Sequence, residues 1–262
     1  MYFVVSDVHS FWDPFEAALT ASGFNLKDTT HKLIICGDMF DRGPDSLKCW
    51  KFIKNLHDEN RLVYVRGNHE DLLEDCLFEL KTTGLDNNCH ISNGTIRTIA
   101  DFCDVAEVDL MYKTFLSSKL TPAEEIMKQI NQMTVDYFEL ADYVFVHGWV
   151  PTVVTPVEGS FYPKQRVVSD WRTNSAWRGA RWLNGMQLNH YGARIPDKTV
   201  VCGHWHCSWG WSQLKNKGPV FDLKRSHFEP FEEPGIIAID ACTAFTHKVN
   251  CIKFTDEGER IL

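Results

Sequence analysis

The chain has 262 residues, of which 44% are hydrophobic and 13% aromatic, and its formal net charge is −8. Such a chain can bury the core of one globular domain. Its negative charge disfavours a stable nucleic-acid partner, and no apolar run approaches the roughly 18 residues that a membrane helix needs. The first residues contain no basic segment and no cleavage site, so we expect a cytoplasmic protein with reduced cysteines.

Short runs rich in β-branched and aromatic residues predict strands along the whole chain. They lie at 2–6, 33–36, 62–66, 143–146, 199–202, 236–239 and 249–254. Between and after the first three runs, apolar residues at helical spacing predict three helices. The first begins at Asp13-Pro14 and ends near Gly23, the second begins around 44–46, and the third follows Glu70. The first third of the chain therefore predicts an α/β arrangement in the order β-α-β-α-β.

The middle of the chain does not continue this alternation of strands and helices. Residues 84–140 are polar and helical in pattern without a strong strand, and we interpret them as a helical cap inserted into a single domain of residues 1–262. Two later stretches, 152–194 and 210–234, contain several prolines and glycines, which predict loops with a short helix at 177–186.

Five polar clusters occupy the ends of predicted strands. They are Asp7-Val8-His9, Gly-Asp-Met-Phe-Asp-Arg-Gly at 37–43, Gly-Asn-His-Glu at 67–70, His-Gly at 147–148 and Gly-His-Trp-His at 203–206. In α/β units the carboxyl ends of the strands open onto a shared crevice, which brings residues far apart in sequence together. The clusters therefore indicate a site for two metal ions and a phosphoryl group.

The first two clusters contain an ion ligand pair and a candidate bridge. Asp7 and His9 can give an oxygen and a nitrogen to one ion, because residues i and i+2 of an extended segment share a face. The alternative for this pair is a capped turn followed by an exposed histidine. Asp38 is the natural bridging ligand, since two neighbouring cations need an anion between them. Arg42 can bind phosphate oxygens with its planar fork.

The third cluster contains a ligand and a candidate proton donor. Asn68 can offer a neutral amide oxygen to the second ion, and its neighbour His69 cannot easily bind the same metal. A histidine beside a metal pair can protonate a departing alkoxide if a carboxylate orients it, and we expect that carboxylate to be Asp41. Glu70 fits helix capping or hydrogen bonds to the ligands better than catalysis.

Histidines supply the ligands that the other clusters leave missing. A second ion held by Asp38 and Asn68 alone would be under-coordinated, and the neutral imidazoles of His147 and His204 suit such a metal. His206 can complete the shell of the first ion. We expect two divalent ions, manganese first, with iron, zinc or nickel as alternatives. The predicted metal ligands are Asp7, His9, Asp38, Asn68, His147, His204 and His206.

On the runs 37–43 and 67–70, the sequence resembles the calcineurin-like metallophosphoesterases. Within them it resembles the phosphoprotein-phosphatase branch, which includes phage and bacterial serine/threonine phosphatases and dinucleoside tetraphosphate hydrolases. The resemblance covers residues 2–254 and implies a four-layer α/β/β/α sandwich, two metal ions bridged by a hydroxide, and in-line attack on phosphorus. It also implies that His69 is the proton donor, Asp41 its partner and Arg42 a phosphate ligand.

The chain departs from that branch in two places. Serines flank Asp7-Val8-His9 where the branch usually has glycines, which should change the loop shape more than metal binding. The pattern Gly-His-Trp-His at 203–206 has a second histidine, His206, and in this it resembles the wider metallophosphoesterase superfamily more than the phosphoprotein-phosphatase branch. The branch also tends to use a later arginine for phosphate binding, for which Arg181 is the first choice and Arg178 the second; two solvated arginines are the alternative.

The substrate is the least constrained part of the prediction. The resemblance favours serine/threonine phosphatase activity, with a phosphorylated protein as substrate. Six of the nine tryptophans lie at 171–211, and an aromatic ring beside a phosphoryl site can stack a nucleobase, so hydrolysis of a dinucleoside polyphosphate is the alternative. A catalytically silent metal-binding scaffold should lack the bridging carboxylate, the proton donor or the phosphate arginine, whereas this sequence has a candidate for each.

Overall fold

The structure is a computed structural model that describes residues 1–82, 85, 88–111, 117–155 and 164–261. Its strands are β1 (Tyr2–Val5), β2 (Lys32–Cys36), β3 (Leu62–Val65), β4 (Thr134–Val135), β5 (Phe138–Leu140), β6 (Tyr143–Phe145), β7 (Thr152–Thr155), β8 (Lys164–Val167), β9 (Thr199–Cys202), β10 (Phe231–Glu233), β11 (Ile236–Ala238), β12 (Ile252–Phe254) and β13 (Arg260–Ile261). Its helices are α1 (Trp12–Ala21), α2 (Ser46–Asp58), α3 (Asn68–Thr82), α4 (Cys89–Ser92), α5 (Thr95–Cys103), α6 (Glu107–Met111), α7 (Thr121–Met133), α8 (Trp177–Ala180), α9 (Gly185–His190), α10 (Cys207–Lys215) and α11 (Thr243–Thr246), and a 3₁₀ helix covers Ser117–Leu120.

Within the described residues, two sheets face each other. The first has the order β13-β12-β1-β2-β3-β4 and the second the order β10-β11-β9-β6-β5. Strands β1 to β4 run parallel, as do β6, β9 and β11. Ile34 and Val65 of the first sheet pack with Phe145 and Val201 of the second. These strands are buried on both faces, which explains why they are continuous apolar runs in the sequence.

Helices cover the outer faces of both sheets. On the first sheet, apolar side chains of α1, α2, α3, α5 and α7 pack against β1 and β2, with Phe15 and Ile53 fully buried. On the second, α8, α9 and α10 pack against β6 and β9, with Trp177 and Met186 in that core. The predicted four-layer α/β/β/α arrangement is thereby confirmed. No described helix has the length and apolarity to cross a membrane.

The middle segment adds helices and two short strands. Helices α5 and α7 of this segment pack against α3, while β4 and β5 extend the edges of the two sheets. With two and three residues, these strands are too short to leave a period in the sequence. Gly84, the first residue of the predicted cap, and residues 156–163 of the predicted loop lie outside the described residues. The capping role of the segment stays a prediction.

Several elements differ from prediction: the helix predicted at 177–186 is divided between α8 and α9, and strands β7, β8 and β10 lie in stretches predicted as loops. Helix α3 begins at Asn68, not after Glu70, so the third polar cluster forms its first turn. Helix α10 continues through Gly210, where the sequence predicted the beginning of a loop. A Cβ atom at this glycine would lie 2.8 Å from the ring of Phe231. The glycine therefore permits close helix–strand packing and does not end the helix.

Candidate metal centre

The carboxyl ends of strands from both sheets meet at one cavity of about 480 Å³. Strands β1, β2 and β3 lead into the first three polar clusters, and β6 and β9 lead into the two histidine clusters. The predicted ligands that line the cavity are Asp7, His9, Asp38, Asn68, His204 and His206. His147, which is buried, contacts Asp38 and Asn68. The structure thus brings together all seven residues that the sequence proposed as ligands.

Asp38 lies at the centre of this group. Its Oδ2 atom is 3.3 Å from Nε2 of His147 and 3.9 Å from Nε2 of both His9 and His69. Two triplets of side chains have ligand atoms within 4.8 Å of one another, namely His9, Asp38 and His69, and Asp38, His147 and His204. Asp38 belongs to both triplets, which is the position that a carboxylate shared by two ions requires.

The surroundings of His147 favour a positive charge between Asp38 and Asn68, as a cation site requires. Its Nδ1 donates to the carbonyl oxygen of Cys36 at 2.8 Å, and its Nε2 lies 2.8 Å from Oδ1 of Asn68. Burial lowers the pKa of His147, but the charge and hydrogen bond of Asp38 outweigh it and raise that pKa to about 10. A proton on Nε2 therefore supplies positive charge between Asp38 and Asn68. A metal ion would replace this proton when it binds.

Two other histidines present neutral ring nitrogens. His9 donates from Nδ1 to the carbonyl oxygen of Phe40 at 3.0 Å, which leaves Nε2 free on the side of Asp38. Burial and the positive charge of Arg42 hold the pKa of His9 well below its ordinary value. Burial also lowers the pKa of His204 to about 3. Neutral imidazoles oriented by a second hydrogen bond are the form in which histidine binds metals.

Asp7 reaches the cavity by a different backbone path than predicted. Both carboxylate oxygens of Asp7 accept from the backbone N–H of His204, at 3.0 and 3.1 Å. Asp7 and His9 have φ angles of 51° and 52°, so the segment is not extended and the shared-face argument was wrong. A tight left-handed turn brings the two side chains to the cavity instead.

The same left-handed conformation recurs around the site. The φ angles are 54° at Asp38, 73° at Asp41, 65° at Arg42 and 66° at His204. Each such residue costs about 1–3 kcal/mol, and strain of this kind clusters at functional sites, where the surrounding structure enforces it.

Glu70 enforces part of this geometry. Its Oε2 atom accepts from the backbone N–H groups of Gly67 at 2.8 Å and Asp38 at 3.0 Å. Its Oε1 atom accepts from the N–H of Met39 at 3.0 Å and from the hydroxyl of Tyr64 at 2.6 Å. Glu70 thereby joins the loop that carries Asp38 to the first turn of α3, as expected for a residue that supports the ligands.

His69 lies between a carboxylate and an arginine. Its Nδ1 donates to Oδ2 of Asp41 at 2.7 Å, and its Nε2 lies 3.2 Å from Nη2 of Arg42. Burial lowers the pKa of His69, but Asp38 and Asp41 outweigh this effect and raise the pKa above its ordinary value. Arg42 and His69 both line the cavity.

The sequence resemblance implied that Arg181 or Arg178 binds phosphate, and in the structure both arginines pair with acidic residues outside the cavity lining. Arg181 donates to Asp71 at 2.8 Å and also pairs with Asp136. Arg178 pairs with Asp75 at the surface. Neither lines the cavity, whose described lining contains Arg42 as its arginine. The short helix α8 lies against the acidic side of α3, and these acids neutralise both arginines.

Sequence reasoning missed several residues of the cavity wall. Asp240 could have been found, because it directly follows a predicted strand as the other clusters do, and it is buried beside Asp7. Phe221, in a predicted loop, and Asn93, in the middle segment, carried no comparable signal. The further lining residues are Trp182, Trp205, Cys242 and Thr243.

Comparison with curated proteins finds partial matches to tetraphosphatases. The chain is 32% identical over 74 residues to an asymmetrical bis(5'-nucleosyl)-tetraphosphatase of Bacillus velezensis, a match that covers 26% of this chain and 30% of that protein. It is 41% identical over 68 residues to a symmetrical bis(5'-nucleosyl)-tetraphosphatase of Buchnera aphidicola, covering 26% and 23%. The matches therefore span less than a third of these relatives.

Matches to solved structures and to a protein-family model cover more of the chain. A solved structure provisionally assigned as a diadenosine tetraphosphatase superposes with a TM-score of 0.50 at 16% identity, covering 99% of this chain and 91% of that one, which supports the fold alone. The family model described as calcineurin-like phosphoesterase matches residues 2–208. That match includes all five strand-end clusters, from Asp7 to His206. Since the matched region spans most of the chain, the chain belongs to the calcineurin-like phosphoesterase family.

Proposed function

We propose that this chain is a metal-dependent phosphoester hydrolase that uses two divalent ions. The observation that carries the proposal is the carboxylate of Asp38, which is shared by two groups of closely spaced side chains, one with His9 and the proposed proton donor His69, and one with His147 and His204. The proposed ligands are Asp7, His9, Asp38 and His206 for one ion, and Asp38, Asn68, His147 and His204 for the other. When bound, two such ions lower the pKa of a water molecule and neutralise phosphate charge.

Three further side chains would perform the remaining chemistry. Arg42 would bind oxygens of the phosphoryl group. As a water oxygen forms its bond to phosphorus, the bond to the leaving oxygen breaks and that oxygen keeps the electron pair. In the structure, Nε2 of His69 accepts from Arg42; once Arg42 binds the phosphoryl group instead, Nε2 would carry a proton and give it to this oxygen while Nδ1 stays bonded to Asp41. The hydrogen bond and the charge of Asp41 favour a protonated imidazole at His69, and a proton donor must be protonated before the step.

Exposed aromatic rings favour a nucleotide substrate. Trp182 is 49% exposed and Phe221 is 61% exposed, and both line the cavity together with Arg42. Trp182 packs edge-on against His204, and Phe221 lies tilted against His206. Exposed ring faces beside a phosphoryl site can stack nucleobases. The tetraphosphatase relatives agree with this chemistry, so we infer that the substrate is a dinucleoside polyphosphate. The phosphorylated protein implied by the sequence resemblance is the competing substrate.

A comparison of substrates tests this inference. We expect the manganese-loaded protein to have a higher kcat/KM for diadenosine tetraphosphate than for a phosphoserine peptide. Replacing Trp182 or Phe221 with alanine should lower kcat/KM for the dinucleotide about tenfold and leave p-nitrophenyl phosphate turnover unchanged. Tyr191→Ala, at a ring that is 70% exposed outside the cavity, is the matched control. Preference for the peptide, with no effect of either aromatic substitution, would reject the nucleotide assignment.

A further inference from the structure

Asp41, the proposed partner of His69, is bound by two threonines of α5. Thr95 donates from Oγ1 to Oδ2 of Asp41 at 2.9 Å, and Thr98 donates from Oγ1 to Oδ1 at 2.8 Å. The backbone N–H of Asp41 donates back to Oγ1 of Thr98 at 3.1 Å. All three residues are completely buried. Both oxygens of the carboxylate are therefore held by donors that water does not replace.

The contact between α5 and the Asp41 segment extends beyond these bonds. Ser46 Oγ lies 3.5 Å from Oγ1 of Thr98 and 3.0 Å from Oγ of Ser10, so the hydroxyl chain continues to the segment after β1. At the start of α5, a Cβ atom on Gly94 would lie 2.5 Å from the backbone nitrogen of Arg42. The first turn of α5 thus packs directly against the left-handed residues 41–42.

The two threonines fix the carboxylate of Asp41, and the carboxylate in turn restricts rotation of the His69 imidazole. Oδ2 of Asp41 receives both Nδ1 of His69 and the hydroxyl of Thr95, while Oδ1 is fixed by Thr98. If the two hydroxyls were removed, the carboxylate could rotate about its Cβ–Cγ bond and take the imidazole with it. Nε2 would then no longer be directed at one position in the cavity, and geometry of this kind governs the rate of proton transfer.

We propose that Thr95 and Thr98 are positioning residues that fix the Asp41–His69 pair for proton donation to the leaving oxygen. The proposal rests on the proposed function of the site and gives the middle segment a part in catalysis separate from any capping role. It concerns the step in which the P–O bond breaks and Nε2 of His69 transfers its proton; Asp41 remains a carboxylate throughout. Loss of the outer hydrogen bonds that orient residues around a metal site typically lowers activity by about 10–100-fold, and we expect an effect of this size here.

The test compares two aryl phosphates of similar shape. Phenyl phosphate has the more basic leaving oxygen and depends more on a proton donor than p-nitrophenyl phosphate does. In the manganese-loaded Thr95→Val/Thr98→Val variant, which keeps side-chain volume, we expect kcat for phenyl phosphate to fall about 10–100-fold. For p-nitrophenyl phosphate we expect a fall of less than about threefold. The Thr95→Ser/Thr98→Ser variant keeps both hydroxyls and should restore the wild-type ratio of the two rates.

Ile99→Val is the matched control, because it perturbs another fully buried side chain of α5. It should leave the ratio of the two rates unchanged. If the double valine variant fails to fold, as judged by thermal unfolding, Thr95→Val alone removes one bond to Asp41 and should shift the ratio in the same direction.

Equal losses on both substrates, or an unchanged phenyl phosphate rate, would overturn the positioning role. The outcome is separable from the proposed function itself. If the wild-type protein with manganese hydrolyses neither substrate, the proposed function fails. If His69→Asn shifts the ratio and the valine variants do not, the role of the threonines fails alone.

Discussion

Asp7 is a carboxylate that the fold buries beside a second carboxylate, Asp240. Burial raises the pKa of Asp7 to about 6, and burial together with Asp7 raises the pKa of Asp240 well above its ordinary value. Burial also raises the pKa of Asp38, but the charges of His147 and His69 and a hydrogen bond from His147 outweigh it and hold that pKa well below the ordinary value. In the absence of cations, the charge on Asp7 therefore destabilises the fold, and a bound cation would remove that cost.

The pH dependence of stability should reveal this cost. Folding raises the pKa of Asp7 from 3.8 to about 6, so its favourable contribution to folding is complete below 3.8 and is lost as the pH rises through about 6. In metal-free protein at about pH 7.5, we therefore expect Asp7→Asn to raise the free energy of unfolding by on the order of 1–3 kcal/mol. Urea unfolding in the presence of a chelator measures this, and the gain should shrink toward about pH 4.

Manganese provides the control for this substitution. Binding to the folded state stabilises the wild-type protein, and loss of a ligand should make the Asp7→Asn variant the less stable of the two once metal is added. An Asp7→Asn variant that is less stable than wild type in the chelator would contradict the assignment of a buried, unfavourable charge.

At the scale of elements, α8 is joined to α3 by a buried ion pair. Arg181 is 8% exposed and bonds to Asp71, which also accepts from Arg66 at 2.6 Å. Arg181 pairs in addition with Asp136, directly after β4. Arg178, by contrast, forms a single exposed pair with Asp75. We therefore expect Arg181 to contribute more than Arg178 to the free energy of unfolding.

Substitution of each arginine by methionine should show the difference between the two contributions. We expect Arg181→Met to lower the free energy of unfolding by about 3–5 kcal/mol, since it leaves Asp71 buried with its charge less well compensated. Arg178→Met should change it by less than about 1 kcal/mol. Thermal or urea unfolding measures both, and KM for p-nitrophenyl phosphate should change in neither. A raised KM with normal stability in Arg181→Met would instead support the phosphate-binding role that the sequence suggested.

Elements were predictable where their pattern was long and regular. The strands that carry the clusters are buried runs of Val, Ile and Leu, and the first two helices have clear apolar faces, so both kinds of element followed from sequence. Strands β4 and β5 did not, because two or three residues show no period. The left-handed residues Asp7, Asp38 and Asp41 were also missed, since tertiary hydrogen bonds, such as those of Glu70, impose that conformation.

For the molecule as a whole, the rule that polar clusters follow parallel strands predicted where the site forms. Five strand ends from two sheets carry the candidate ligands, and the rule would also have found Asp240. It could not find Thr95 and Thr98, because these residues reach the site from a helix. Arg181 was proposed from the family resemblance and not from this rule, and in the structure it pairs with Asp71 of α3. Residues on strand ends are thus predictable from sequence, whereas their supports from packed helices require the fold.

We propose that two ions, with Asp38 as their shared ligand, make this molecule a phosphoester hydrolase. The direct measurement is p-nitrophenyl phosphate turnover by metal-free protein titrated with manganese, with bound metal counted at each point. We predict that turnover rises to its maximum at two ions per chain and that Asp38→Asn lowers that maximum at least ~100-fold. Full turnover in the chelator, or near-wild-type turnover of Asp38→Asn, would contradict the account.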